Sequence, residues 1–166
     1  MSDDASISDL VRGVHRRYPT GVTVVTVADN EGKPHGLAVN AFSSVSLEPP
    51  LVLVAVNATS ATYPWLFATD YIAVNIVAQS QPEVVATFAK SGGDKFAGIG
   101  WKPGVTGSPV LTGTTGHFEL KVTHRVTAYT HTLFIGEVVS VAYSDTPAMI
   151  YLGGKLFFSG DLTPAI

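Results

Sequence analysis

Five histidines, at positions 15, 35, 117, 124 and 131, are the side chains best suited to metal binding or proton transfer in this chain of 166 residues. Metal ligands want a shared face, two residues apart on a strand or four apart on a helix. No pair of these histidines has either spacing. His117 and His124 lie seven apart and would face opposite sides of one strand. The chain has no cysteine, which removes disulfides, thiolate metal sites and thiol nucleophiles. It has no G-x-S-x-G elbow and no Walker or Rossmann glycine pattern either. Ten basic and 13 acidic residues leave a net charge of -3, without the basic stripe that a nucleic-acid groove requires.

The informative stretch is Asn40 to Pro50, NAFSSVSLEPP. Asn40, Ser43, Ser44 and Ser46 stand there between two strongly apolar segments. One reading is an edge strand with a solvated face. The other is a surface where backbone amides, carbonyls and hydroxyls meet the edge of a flat heteroaromatic ring, with small side chains admitting close approach.

The elements that must position this stretch are mostly strands. Val22 to Val27, VTVVTV, is β-branched at every position and reads as a strand. Asp29 to Gly32 reads as a hairpin turn. Gly36 to Leu47 reads as one strand, which Glu48-Pro49-Pro50 ends because prolines remove ladder donors. Leu51 to Val56, LVLVAV, is a continuous apolar run, as expected of a strand buried on both faces. Tyr71 to Val77, His117 to Thr127 and Thr132 to Tyr143 complete the longer strands, and a hairpin is expected around Gly153-Gly154. Residues 1–7 read as a loose acidic leader. A short helix follows from Ser8 to Arg17 with Ser8 as N-cap. Ser60 to Phe67 reads as a short helix and Ser80 to Lys90 as a better one, capped by Ser80 and stopped by Gly92-Gly93. Ser91 to Thr115 reads mostly as loop. Six to eight strands with few helices predict a mainly β, barrel-like domain whose closure disposes of its edges.

Charged residues are only 14% of the chain and hydrophobic ones 46%, against roughly 25% charged in ordinary soluble domains. The longest apolar stretch falls far short of the roughly 20 residues that span a bilayer, and the acidic start is no signal peptide. A cytoplasmic protein with neither a membrane nor a nucleic-acid partner is expected.

Three segments resemble the short-chain flavin reductases, the reductase partners of two-component flavin-dependent monooxygenases. They are TGVTVVTV at 20–27, NAFSSVSLEPPLVLVAV at 40–56 and HTLFIGEVVSV at 131–141. The resemblance runs from about Tyr18 to Lys155, in the family's order. It implies a split β-barrel of the flavin-reductase type with a few short helices, spanning 18–166 after a leader and short helix at 1–17. It also implies a homodimer and an NAD(P)H:flavin oxidoreductase that releases reduced FAD or FMN to a partner monooxygenase.

Carried over by motif, Ala38, Val39, Asn40, Ala41 and Phe42 would run beside the isoalloxazine ring, and Ser43, Ser44, Val45 and Ser46 would continue that contact. Asn57, Ser60 and Thr62 match a polar turn that holds the flavin phosphate. Thr20 and Thr23 would approach the flavin. Phe88 and Lys95 match an F-A…K-F region, with Lys95 reaching a phosphate. Tyr151, Gly153, Gly154 and Lys155 match the segment that closes over the dinucleotide. His131 stands where the family's Gly-Asp-His step puts a histidine near the nicotinamide. Here Tyr129-Thr130 replace Gly-Asp, so the carboxylate that would orient the imidazole is missing. The arginines, at 12, 16, 17 and 125, all lie outside the expected dinucleotide segments, which favours NADH over NADPH because a 2′-phosphate calls for Arg. Two other readings remain open: a split-barrel oxidase that keeps FMN, like the pyridoxamine-phosphate oxidases, and a non-catalytic flavin-binding barrel. In the dimer reading, the apolar strand faces left over by one small barrel are covered by the second copy.

Overall fold

The structure, a computed structural model, describes residues 6–165. Most of the expected leader lies outside these residues. The first helix, α1, covers Ile7–His15 and is capped by Ser6 rather than Ser8. Ser6 Oγ accepts from the Asp9 amide at 3.2 Å and donates to the Asp9 carboxylate at 2.6 Å, a reciprocal cap that needs an acid three residues on. No residue of α1 is buried, and Ile7, Leu10, Val11 and Val14 form an exposed apolar stripe at helical spacing.

Twelve strands follow, more than the six to eight expected. They are β1 (Thr20–Gly21), β2 (Thr23–Ala28), β3 (Pro34–Val39), β4 (Phe42–Leu47), β5 (Pro50–Asn57), β6 (Tyr71–Ile76), β7 (Trp101–Pro103), β8 (Pro109–Leu111), β9 (Gly116–Ala128), β10 (His131–Tyr143), β11 (Met149–Leu152) and β12 (Lys155–Phe158). Two short helices interrupt them, α2 (Tyr63–Ala68) and α3 (Pro82–Phe88). The cap of α3 differs from expectation: Gln81, not Ser80, holds the cap position, and no side chain bonds there. Seven strands form one antiparallel sheet in the order β3-β2-β6-β9-β10-β5-β4, while β1-β11-β12 and β7-β8 form smaller sheets. The expected closure is not met, because β3 and β4 are two free edges of the large sheet.

Two corrections bear on the site. The stretch 36–47 is two strands, not one, with Asn40-Ala41 between them. β3 pairs with β2, whereas β4 pairs with β5, so the chain crosses from one edge of the large sheet to the other at Asn40. Secondly, β5 is buried on one face only: Val52, Val54 and Val56 are buried, while Leu51, Leu53 and Ala55 are half-buried. β2 is enclosed on both sides because it separates two cores, and the middle of its neighbour β6 is enclosed likewise. One core gathers Val25, Val27, Val54, Ile72, Leu120 and Phe134 inside the curl of the sheet. The other packs Val22, Val24, Val84, Phe88, Phe96 and Met149 under α3. Buried Asn75 ties these layers together, donating to the Val24 carbonyl and the Thr26 hydroxyl and accepting from the Leu111 amide. The predicted loop 91–115 thus contains a two-strand ribbon, pinned from below by a polar side chain.

Candidate active site

The crossing at Asn40 opens a cavity of about 630 Å³. Asn40, Ala41, Phe42 and Ser43 line it with Leu53, which β5 sets opposite Ser43, and with Thr20 and Thr23. His15 and Tyr18, at the end of α1, complete the rim. A shallower pocket of about 180 Å³ continues from Asn40 past Ala38 and Val39 to Tyr151. Tyr151 is brought there by the pairing of β11 with β1, which sets it opposite Thr20. The Thr20 hydroxyl is buried without a hydrogen-bond partner, which costs free energy unless a ligand supplies one. Thr23 is different: its hydroxyl already donates to the Val39 carbonyl at 2.6 Å, so it shapes the wall.

Ser44, Val45 and Ser46 continue along β4 outside the cavity lining. A bulge at Val45 shifts the register against β5, and the Ser46 hydroxyl accepts from the Glu48 amide at 3.2 Å. The Phe42 ring stacks on Phe118 at 5.6 Å, so its packing anchors this side of the cavity.

At the other end of β3 lies a cleft of about 320 Å³, lined by Thr62, Gly92, Gly93 and Lys95 together with Lys33, His35 and Gly36. The Gly36 carbonyl accepts from the Thr62 hydroxyl at 2.9 Å and from the Lys95 ammonium at 3.2 Å. Lys95 also donates to the Phe88 carbonyl at 3.3 Å. An ammonium has three donors, so one remains for an anion in the cleft. Burial pulls Lys95 below the usual lysine range, as expected of a cation lacking a carboxylate partner. Phe88 does not line the cleft: it is 1% exposed and packs edge-on against Phe96, and its carbonyl serves to fix Lys95. Asn57 and Ser60 shape the turn into α2: Asn57 Oδ1 accepts from the Thr59 amide, and the Ser60 hydroxyl from the Thr62 amide.

His131 is set apart from these cavities. It opens β10, opposite Ala128 and beside Asn57, and its Nδ1 sits 2.9 Å from the Thr130 hydroxyl. That hydroxyl is the polar neighbour of the ring, where the resemblance implies a carboxylate. Gly153 and Gly154, both with positive φ, form the tip between β11 and β12, and Lys155 is exposed beyond them. Sequence reasoning gave no role to Lys33, His35 or Gly36. The one signal for them was a glycine inside a strand, which marks close approach of another group.

A flavin fits this arrangement on three counts: an orphaned hydroxyl at the large cavity, a strand break exposing backbone at Asn40-Ala41, and, one strand-length away, the Lys95 ammonium, which makes no salt bridge among the described residues although Asp94 lines the same cleft. Residues 15–159 match the flavin reductase like domain; this chain belongs to that family. A probable flavin reductase of Rhizobium meliloti is 35% identical over 147 residues, covering 89% of this chain and 47% of its own length. The chain thus spans about half of that relative. An FMN reductase (NADH) of Agrobacterium fabrum is 36% identical, with 82% of this chain and 78% of the relative covered. Among solved structures, an NADH:FAD oxidoreductase of Streptomyces globisporus, in complex with NAD and FAD fragments, superposes with a TM-score of 0.88. It is 32% identical, and 99% of each chain is covered.

Proposed function

We propose that this chain is an NADH-dependent flavin reductase that passes a hydride from NADH to FAD or FMN and releases the reduced flavin to a partner flavin-dependent monooxygenase. The observation that carries it is the single strand β3, which links the cavity at Thr20 and Asn40–Ser43 to the cation at Lys95, as a ring joined to a phosphate by a short arm requires. Bound flavin would supply the redox chemistry, accepting a hydride at its ring. The residues of the chain position it. Ala38–Ser43 flank the ring, the Thr20 hydroxyl completes its hydrogen bonding, and Thr62 and Lys95 hold the phosphate end. Ser44, Val45 and Ser46 extend this contact along β4. Tyr151 and the Gly153-Gly154-Lys155 tip border the nicotinamide side, with His131 beside Asn57 at the far end of β5.

We read residues 18–166 as one split-barrel domain, preceded by a leader and helix at 1–17. Two findings favour this over an open sheet: strands from both flanks of the large sheet share one core, and family members superpose over nearly the whole length. The second copy of a homodimer would cover Val45, Leu47, Val139 and Val141, all exposed along β4 and β10. No helix among the described residues is long and apolar enough to cross a membrane; we read the chain as a cytoplasmic reductase. Arg125 is tied to the Thr69 carbonyl and Asp70, whereas Arg16 runs beside Gly153; the reading of NADH as donor is supported by the relatives named for it.

The test is NADH oxidation by purified protein with catalytic amounts of added FMN or FAD. Turnover in proportion to added flavin is expected. Stoichiometric bleaching of one retained flavin would point instead to an oxidase, and no NADH loss to a non-catalytic barrel.

A further inference from the structure

The large cavity at the Asn40 crossing is almost free of ionisable groups. Among the described residues that line it, His15 and Tyr18 are the only two, and no carboxylate, lysine or arginine joins them. His15 is therefore the one lining group able to carry positive charge. The flavin-reductase reading, on which this rests, puts a ring there whose charge changes in the reaction. One hydride leaves NADH as the NAD cation and turns the neutral oxidised ring into a reduced anion, with no proton taken up. A neutral ring gains nothing from a cation at the cavity mouth, whereas the reduced anion does.

Backbone bonds, not side-chain packing, set His15 at this mouth. It ends α1, none of whose residues is buried. The Arg16 amide donates to the Arg12 carbonyl at 3.0 Å, the Arg17 amide to the Val14 carbonyl at 2.9 Å, and the Tyr18 amide to the His15 carbonyl at 3.1 Å. These bonds turn the chain out of the helix and towards β1. The Arg16 carbonyl lies against Gly153, where an added Cβ would meet it at 3.6 Å, so the β11–β12 tip borders the same turn. Charges around His15 are few. On its own helix, Asp9 lies six residues back, about 9 Å along the axis, and is engaged by Ser6 at 2.6 Å and Arg12 at 2.9 Å. Arg16 and Arg17 follow His15, and Arg17 donates to the Gly13 carbonyl at 2.6 Å. The tip adds exposed Lys155. β1, β2, the Asn40 crossing, β4 and β5 present only uncharged residues to the cavity. Arginine and lysine side chains keep their charge near neutrality, and histidine is the one that changes it between pH 5 and 8.

We propose that His15 makes the cavity discriminate between the two redox states of the flavin. Its imidazolium favours the reduced anion over the oxidised ring, and this contribution is lost as the pH rises and the proton leaves. How firmly the product is held before it passes to an oxygenase is thereby tied to the charge of one exposed residue. His15 takes no part in the hydride step; it acts as a charge at the mouth of the site.

Anaerobic equilibrium titration of the purified protein with oxidised FMN and with dithionite-reduced FMN, from pH 6 to 8.5, gives the ratio of the two affinities. The phosphate is common to both forms, and ionisation of the flavin itself is common to all variants at one pH. Wild type, His15→Gln and His15→Arg are therefore compared pH by pH. At pH 8.5 the wild type should match His15→Gln, while His15→Arg favours reduced FMN about fivefold more, the effect of two unit charges close together in a water-like medium. Towards pH 6 the wild type should leave the His15→Gln value and approach that of His15→Arg. One ratio shared by all three proteins, or a gap between wild type and His15→Gln that does not change with pH, would overturn the proposal. Equal losses for both redox states in His15→Gln would do the same, because His15 would then be a rim contact without electrostatic effect. His15 is exposed, and either variant decides the matter alone: His15→Gln by its gap to wild type in acid, His15→Arg by its gap at pH 8.5. Failure of oxidised FMN to bind the wild type would refute the flavin-reductase reading itself; an unchanged ratio with FMN bound refutes only the role of His15.

Discussion

Gly36 is the point where stability and flavin binding are most tightly joined. A Cβ built on Gly36 would meet Phe88 Cε1 at 2.8 Å, Phe88 Cδ1 at 3.2 Å and the Val25 carbonyl at 3.1 Å. An ordinary carbon–carbon contact needs about 3.5–4.0 Å, so Gly36→Ala asks the Phe88 ring to retreat by about 1 Å. It has no room to do so. Phe88 is buried, with Phe96 edge-on at 5.0 Å, and the Val25 carbonyl belongs to the neighbouring strand in the sheet. Overpacking of this kind costs about 1–3 kcal/mol. For a chain of this length that is a fall in Tm of roughly 3–10 °C. Any shift of β3 that relieves the clash also moves the Gly36 carbonyl, and with it both Thr62 and Lys95. Urea denaturation of Gly36→Ala, Phe88→Leu and the double variant, alongside flavin titration of each, checks both effects. In the double variant the smaller Leu leaves space for the new methyl, so its loss should fall short of the sum of the single losses by about 1 kcal/mol or more. Additive losses, or a Gly36→Ala protein as stable as the wild type, would refute the close approach and its link to the phosphate end of the site.

Three further outcomes follow from individual groups. Thr20→Val removes a buried hydroxyl without a partner, so stability should hold or rise by up to about 1 kcal/mol while flavin affinity drops; a loss of stability by thermal melt would mean that the hydroxyl is satisfied within the protein. Glu119 is 1% exposed; burial opposes its charge, but bonds from the Thr106 hydroxyl and amide, the Val105 amide and Ser140 outweigh this and hold its carboxyl below the usual glutamate range. A carboxylate lowered on folding adds stability above its unfolded pKa, and that contribution disappears as pH falls through the lower folded value. Glu119→Gln, whose amide faces those donors, should therefore cost about 1–3 kcal/mol at pH 7, with the gap to wild type closing in acid; a gap independent of pH between 7 and 3 would contradict the assignment. Tyr129, fully exposed with φ at 52°, holds a left-handed conformation that disfavours a bulky side chain. Tyr129→Asn should raise stability by roughly 0.5–1 kcal/mol in urea denaturation, and a decrease would show that the tyrosine ring makes a contact worth more than its strain.

The longer strands were legible locally, apart from 36–47, which reads as one strand and is two. β-branched runs such as Thr23–Ala28 can be little else, and the glycine pair at 153–154 sets its own turn through positive φ. The lack of cysteine and of any phosphate-cradling glycine pattern narrowed the chemistry, and three long motifs named the family. Tertiary structure decided the rest. Hydropathy cannot tell a face that packs in a core from one left open, so LVLVAV reads as enclosed when half of it is not, whereas β2 is enclosed because two cores meet across it. The break at Asn40-Ala41 has no local turn signal; it exists because the two halves pair with different edges of the sheet. Lys33, His35 and Gly36 join Lys95 only because β3 carries them past the turn before α2 and the loop after α3. Nothing in their spacing along the chain, roughly 60 residues from Lys95, could have placed them in one cleft.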